Sequence, residues 1–339
     1  MKPIGITTTV PVECLIAAGY RPVDLNNLFI SHSDPGHLVE LAEKDGFPLN
    51  TCTWIKGIYG ACLEYNIRHV MCVTTGDCSN TLMLMEVLNS LGIETISFAY
   101  PPEPDTHQMQ EVLEKMSSEL GTRVSQAESI RTRLKPVREL ALELDRLTWQ
   151  EDKVSGFENH FWLVSSSDFN QDYVKYRQDV LQLVEEARTR QPYDSGQLRL
   201  AYIGVPPVLG RSLYDYVEKN NARIVYNETQ RQFAMPVPGN NLAEQYSHYT
   251  YPYRINYRIA DIIHEASKRK IDGIIHYVQS FCHRAIGDII FKKTLDLPIL
   301  TLEGGSDFYL NQHAKTRLEA FIDMLEQSKI LRENKKEAR

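Results

Sequence analysis

Short apolar runs rich in β-branched residues alternate along the chain with longer stretches whose apolar positions recur every three or four residues, and this alternation occurs twice. In the first half, Ile4–Val10 predicts a strand and Glu13–Tyr20 a helix, followed by the short extended run Pro22–Leu25. After a loop, a helix is expected from about Cys52 to Tyr65, then the strand His69–Thr74, a helix over Asn80–Leu91 that stops at Gly92, and the strand Glu94–Tyr100. The second half repeats the order. Leu198–Val205 reads as a strand, Leu213–Lys219 as a helix and Ala222–Tyr226 as a strand. A long loop then leads to a helix over Ile255–Arg269, the strand Gly273–Val278, the helix Arg284–Thr294 and the strand Pro298–Leu302, and the amphipathic helix Arg317–Ile330 closes the pattern. Strands alternating with helices of this length imply right-handed crossovers and parallel sheets. Between the halves, Met109–Leu120, Ala127–Leu147 and Asp172–Arg188 are helical in period. The expectation is an α/β protein with an N-terminal sheet domain over residues 1–104, a helical connecting region over 105–195 and a C-terminal sheet domain over 196–339.

The repeat places two cysteines equivalently, because Cys78 follows the third strand of the first half and Cys282 the third strand of the second. Ligands of open parallel sheets bind beyond the carboxyl ends of the strands. Cys52 stands at a helix start, so all three thiols are expected at helix N-termini, where the positive helix end favours thiolate. Cys62 and Cys72 lie mid-helix and mid-strand and read as buried structural thiols, as does Cys14 at the head of an apolar helix. For Cys52, Cys78 and Cys282, position leaves metal binding, structural burial and a lone activated nucleophile all open, since their spacing matches no compact zinc or ferredoxin signature. His283, beside Cys282, reads as a proton donor near the site or a cap on the following helix. The run Tyr246, Tyr249, Tyr251, Tyr253 and Tyr257, with Arg254 and Arg258, reads as loop packing, the alternative being a pocket that holds phosphates.

Composition narrows the field. The formal charge of −7 argues against nucleic acid as a partner, and the basic run Lys329–Arg339 is interrupted by acids and reads as a solvated helix end. No stretch approaches the roughly 18–20 apolar residues of a membrane span. Met1-Lys2-Pro3 leads straight into an apolar strand rather than a signal peptide, so the chain is expected in the cytoplasm, where six cysteines stay reduced rather than forming a disulfide frame. Walker A, G-x-G-x-x-G after a strand, G-x-S-x-G, H-E-x-x-H and C-x-x-C motifs are all missing.

Several blocks along the chain carry a resemblance. Pro11-Val12-Glu13 with Ala17–Val23, Cys52-Thr53-Trp54-Ile55-Lys56, Tyr251-Pro252-Tyr253-Arg254, Asp272–His276 with Phe281-Cys282, Leu297–Glu303 and Thr316–Phe321 are similar, in order and spacing, to the 2-hydroxyacyl-CoA dehydratase and benzoyl-CoA reductase family. The resemblance implies two flavodoxin-like, Rossmann-like domains with one 4Fe–4S cluster in the cleft between them, held by Cys52, Cys78 and Cys282, with one iron open to water or substrate. A fused double-cubane cluster would need about six cysteine ligands, and three of the six here sit where burial is expected. The resemblance further implies a separate ATP-hydrolysing iron–sulfur activator that injects one low-potential electron, a second homologous subunit or a homodimer, and an acyl-CoA substrate. In the dehydratases that electron makes a ketyl radical, which acidifies the β C–H; in the reductases it enters an aromatic thioester. His283 and Arg284 become candidates for substrate roles. A non-catalytic electron-transfer subunit and a related reductase acting on a non-CoA substrate are the competing classes. Relatives often carry Asp directly after the second ligand, whereas here Asp77 precedes Cys78 and Ser79 follows it.

Overall fold

The structure, a computed structural model, describes residues 1–337, with side chains through Leu331. The part of the terminal basic run beyond residue 331 therefore lies outside the described side chains. Eight strands form two sheets. In the first half β1 (Lys2–Ile6), β2 (Tyr20–Asp24), β3 (His69–Thr75) and β4 (Glu94–Ala99) make a parallel sheet of order β2-β1-β3-β4. In the second half β5 (Leu198–Gly204), β6 (Ala222–Asn227), β7 (Gly273–Gln279) and β8 (Ile299–Gly304) repeat it as β6-β5-β7-β8. Every residue of β7 is buried, as befits a central strand with helices on both faces. In both sheets the strand order reverses beside the first strand, so the loops after the first and third strands open onto one crevice.

Several expected boundaries are corrected. β1 ends at Ile6, and Thr7–Pro11 leaves the sheet as a loop, its Thr7 Oγ1 accepting from the Val73 N–H at 3.0 Å. The first helix is Val12–Ala17, closed by Gly19 at φ +84°, so that Tyr20 already belongs to β2. The loop expected before Cys52 holds two helices, Leu25–Ser31 and Pro35–Lys44, each started by an aspartate side chain (Asp24, Asp34) that accepts a backbone N–H. The long loop of the second half likewise holds Glu228–Phe233 and Leu242–Ser247. Arg284–Thr294 is a 3-10 turn over His283–Gly287 followed by the helix Asp288–Thr294, and the closing helix runs Gln312–Glu337.

The connecting region consists of the helices Thr106–Glu119, Val124–Trp149, Gly156–Val164 and Tyr173–Thr189. It is welded to both halves rather than strung between them. One apolar core joins Ile4, Met71 and Val73 of the first sheet, Leu134, Leu144 and Val180 of the helices, and Tyr246 and Tyr249 of the second half. Buried ion pairs reinforce the joints. Arg138 donates to Glu13 at 2.6 Å, and Glu13 also accepts from Tyr246 at 2.9 Å and Gln245 at 3.1 Å. Arg269 bonds Asp145 at 2.9 Å and Glu265 at 2.8 Å.

The halves also touch directly. Phe29 packs edge-on against Phe308, centroids 5.8 Å apart, and Thr53 Oγ1 donates to the Gly305 carbonyl at 3.2 Å. The helix Thr53–Glu64 is seated closely on its neighbours, because a Cβ on Gly60 would lie 2.2 Å from the Leu38 carbonyl oxygen and one on Gly57 2.4 Å from the Phe29 ring. That seat fixes where the helix begins, and it begins at Cys52.

Candidate functional site

A cavity of about 430 Å³ lies where the carboxyl ends of the two sheets meet. Thr7 after β1, Asp24 ending β2, Asp77 and Cys78 after β3, Val205 after β5 and Cys282 after β7 all line it. Cys52 reaches it as the N-cap of Thr53–Glu64. Gly76 makes the turn from β3 toward Cys78 at φ +96°, and a Cβ there would meet Pro252 at 2.8 Å, so the turn needs glycine twice over.

Cys52, Cys78, Cys282, His283 and Arg284 therefore share one cavity, while Cys14, Cys62 and Cys72 are buried in apolar cores. The thiols of Cys52, Cys78 and Cys282 are close enough to repel one another as anions. The nearby backbone N–H groups of the turn that follows act to lower each thiol, Trp54 and Ile55 for Cys52, Asn80 for Cys78, Arg284 and Ala285 for Cys282, although neither Cys52 nor Cys282 makes a side-chain cap hydrogen bond. The expectation that helix starts would favour thiolate is reversed in the protein alone. Burial pushes Cys52 up to about 11 and Cys78 up to about 12, and raises Cys282; Asp77 adds to the rise at each. Among the described residues no three His, Cys, Asp or Glu groups converge as the ligands of a single ion would.

Arg284 is held by its partners. Its guanidinium donates to the Gly76 carbonyl at 2.9 Å, lies 4.4 Å above the Tyr251 ring and stands 3.9 Å from Asp77, which accepts from Tyr251 OH at 3.1 Å. His283 is exposed at the rim, its imidazole lowered by desolvation and by the Arg284 charge. Of the aromatic run, Tyr251 alone lines the cavity. Arg254 stands in an exposed pair with Glu103 and Arg258 is buried against Glu228 at 2.7 Å, and neither lines the cavity.

The donors around the cavity match an anionic metal–sulfur group. Trp54 Nε1, Thr81 Oγ1 and Arg284 Nε are buried donors with no acceptor in the protein, and all three residues line the cavity. Buried donors rarely go unpaired. Three thiols on one cavity wall, beside three orphaned donors, suit a group that carries negative charge and sulfur acceptors.

Residues not anticipated from the sequence also line the site, notably Asp24, Phe157, His160, Phe161 and Asn170. Behind Asp24 stands Asp168, which accepts from the Asp24 N–H at 2.8 Å, while Ser167 donates to Asp24 at 2.6 Å. Among the described residues Glu13, Asp145, Glu228 and Glu265 are buried carboxyls paired with arginine, and Asp24 and Asp168 have no such partner. Burial and then Asp24 push Asp168 up to about 7. Three consecutive left-handed residues, Phe169, Asn170 and Gln171, hold the segment at φ 55°, 49° and 67°, a conformation costing about 1–2 kcal/mol per residue. A raised carboxyl contributes its full stability below its unfolded value near 4 and loses it as pH rises through about 7. Between pH 4 and 8 wild type should thus lose stability relative to Asp168→Asn, most steeply as pH approaches about 7. Denaturant melts of both proteins across that range check this; parallel pH profiles would mean that Asp168 is ionised in the fold.

Two four-stranded parallel sheets of flavodoxin-like order, meeting at a shared thiol-lined cavity, define an α/β protein with a cleft site. A sequence model of the family described as 2-hydroxyglutaryl-CoA dehydratase, D-component, matches residues 7–325, and the chain belongs to that family. The match covers the connecting helices and every strand except β1, and supports a 2-hydroxyacyl-CoA dehydratase-like subunit, a lyase by family. No curated protein matches it. Among the described residues no helix is long and apolar enough to cross a membrane.

Proposed function

We propose that Cys52, Cys78 and Cys282 hold one 4Fe–4S cluster in the cavity, and that the chain is the cluster-bearing subunit of a 2-hydroxyacyl-CoA dehydratase or a related acyl-CoA reductase of the cytoplasm. The observation that carries this is that three thiols, drawn from both halves, line one cavity that also collects three orphaned donors. Three protein ligands would leave one iron open to substrate oxygen, and the bound group would accept one electron at a time.

The chain's own residues do the rest. Cys52 is buried and Cys78 and Cys282 half-buried, which screens the thiols from water in part, and the nearby N–H groups at Trp54, Asn80 and Arg284 would favour sulfur as the ligating anion. Arg284, fixed by Gly76, Asp77 and Tyr251, would add its unpaired Nε–H to the donors that balance the charge of the bound group. His283 at the rim is placed to exchange a proton with solvent.

The electron would come from an ATP-hydrolysing iron–sulfur activator, because the sequence carries no nicotinamide or flavin fingerprint of its own. A second homologous subunit, or a second copy of this chain, would complete the enzyme. The test is an anaerobic assay of the iron-loaded chain with a cognate activator, ATP, a strong reductant and a panel of 2-hydroxyacyl-CoA thioesters. Dehydration that stops when activator or ATP is withheld is the expected result. Turnover without either would refute the activator mechanism. Reduction of the cluster with no acyl-CoA turnover would favour an electron-transfer subunit.

A further inference from the structure

Tyr251 brings the aromatic run to the cavity wall, and other rings continue the run away from it. Tyr251 stacks on Tyr249, centroids 6.2 Å apart and planes 28° from parallel. Tyr249 lies 5.9 Å from Tyr100, which stands just beyond β4 and enters from the first half. Tyr100 lies 6.3 Å from Tyr253, and Tyr253 lies 6.3 Å from Tyr257. Every step falls within the about 4.5–7 Å between centroids of aromatic rings in contact. Tyr251, Tyr249, Tyr100 and Tyr253 are buried, whereas Tyr257, in the first turn of the helix Ile255–Arg269, is half-buried and reaches solvent. An unbroken line of phenols thus runs from the cavity wall to the surface.

Packing alone does not account for the hydroxyls. Phe98 and Phe233 belong to the same core as plain phenyl rings, 4.9 Å from Tyr100 and 6.3 Å from Tyr249. The Thr9 hydroxyl lies near Tyr249 OH, yet both are buried and neither completes a hydrogen bond. A phenylalanine at 249 would fill the same space without stranding a polar group.

The ends of the line differ from its middle. Tyr251 donates to the Asp77 carboxylate at 3.1 Å and Tyr257 to that of Glu103 at 2.7 Å, while Tyr100 and Tyr253 donate to the carbonyls of Thr9 and Tyr246. Burial holds Tyr249 and Tyr100 well above the ordinary phenol range, so these rings are neutral. A neutral phenol gives up an electron most readily when its proton can leave too, and the carboxylates stand at the two ends.

We propose that this line is a conduit for oxidising equivalents, leading them from the cavity to the surface. A one-electron oxidant formed in the cavity, the hydroxyl radical from peroxide, takes an electron from Tyr251 and becomes hydroxide, and the phenol proton moves to Asp77. An electron drawn through Tyr249, Tyr100 and Tyr253 then refills Tyr251, whose proton returns from Asp77. Tyr257 is left as the radical with its proton on Glu103, and a soluble thiol at the surface restores it by giving up a hydrogen atom. The inference rests on reading the cavity as a redox site, whose thiols the conduit protects.

The test uses the full chain stripped of iron by a chelator, so its outcome is independent of the cluster. In the Cys78→Ser chain a tris-bipyridyl ruthenium photo-oxidant is tethered to Cys282, which is half-buried, the other four cysteines being buried. The sample is flashed with an electron acceptor and a nitrone spin trap, and peptide mass spectrometry locates the trapped radical. Tyr257 should carry it. Tyr249→Phe removes only an unpaired hydroxyl and so keeps the fold. It should lower the yield at Tyr257 at least about tenfold and move the adduct to Tyr251. An unchanged yield at Tyr257 in Tyr249→Phe, or a radical confined to cavity residues in the parent chain, overturns the proposal. Iron analysis before stripping tests the cluster reading separately: a chain without iron sinks that reading whatever the flash experiment gives.

Discussion

Replacing Cys52, Cys78 or Cys282 by alanine should each take an anaerobic preparation from about four irons per chain to under about one, with loss of the brown colour. The effect is large because three ligands are already the minimum that leaves one iron open, and each thiol comes from a different segment of chain, so none can substitute for another. Loss of the cluster should also strand Trp54 Nε1, Thr81 Oγ1 and Arg284 Nε, the donors that have no acceptor in the protein. Cys62→Ala and Cys72→Ala supply the contrast. Both thiols are buried in an apolar core away from the cavity, so these variants should keep their iron and lose only stability, by about 1–2 kcal/mol. Iron and acid-labile sulfide analysis of all five variants distinguishes the outcomes, and full iron in Cys282→Ala would mean that the two halves do not share a site.

Glu13→Ala should destabilise the protein by about 3–5 kcal/mol, the cost of leaving a buried arginine unpaired. Glu13 is wholly buried, and its carboxylate is the meeting point of Arg138 from the helical layer with Tyr246 and Gln245 from the second half. Removing it leaves Arg138 with its charge inside the core and Tyr246 with only the Val10 carbonyl. Glu13→Leu combined with Arg138→Met removes both charges and should recover more than half of the loss, because apolar replacements of a buried pair are often well tolerated. Chemical denaturation monitored by circular dichroism checks both. A single variant that loses less than about 1 kcal/mol would show that this joint between the regions is solvated.

Much of the fold was legible because parallel strands buried on both faces are nearly continuous apolar runs, as in Gly273–Gln279, and no other element of the chain looks like them. The doubled order of strands and helices then marked Cys78 and Cys282 as equivalent before any contact was known. The short helices Leu25–Ser31, Glu228–Phe233 and Leu242–Ser247 were not legible, since six or seven residues carry too little periodicity and their stability comes from packing. The helix Gly156–Val164 was missed although its signal is present: Ser155 and Glu158 form a capping box, and the aromatic stripe at 157, 160, 161 and 164 follows. The ionisation of the thiols could not be read from sequence at all. Position at a helix start is local, whereas the burial that outweighs it depends on how the two halves close over the cavity. The same holds for Arg258, which looks like a phosphate ligand until Glu228, thirty residues earlier, is found against it.

Diffraction at the iron absorption edge from anaerobically grown crystals bears most directly on the central claim. The account predicts anomalous density inside the cavity, within bonding distance of the sulfurs of Cys52, Cys78 and Cys282, with one iron that no protein sulfur ligates. A cavity without anomalous density in protein shown to contain iron, or density at Cys14, Cys62 or Cys72 instead, would contradict it.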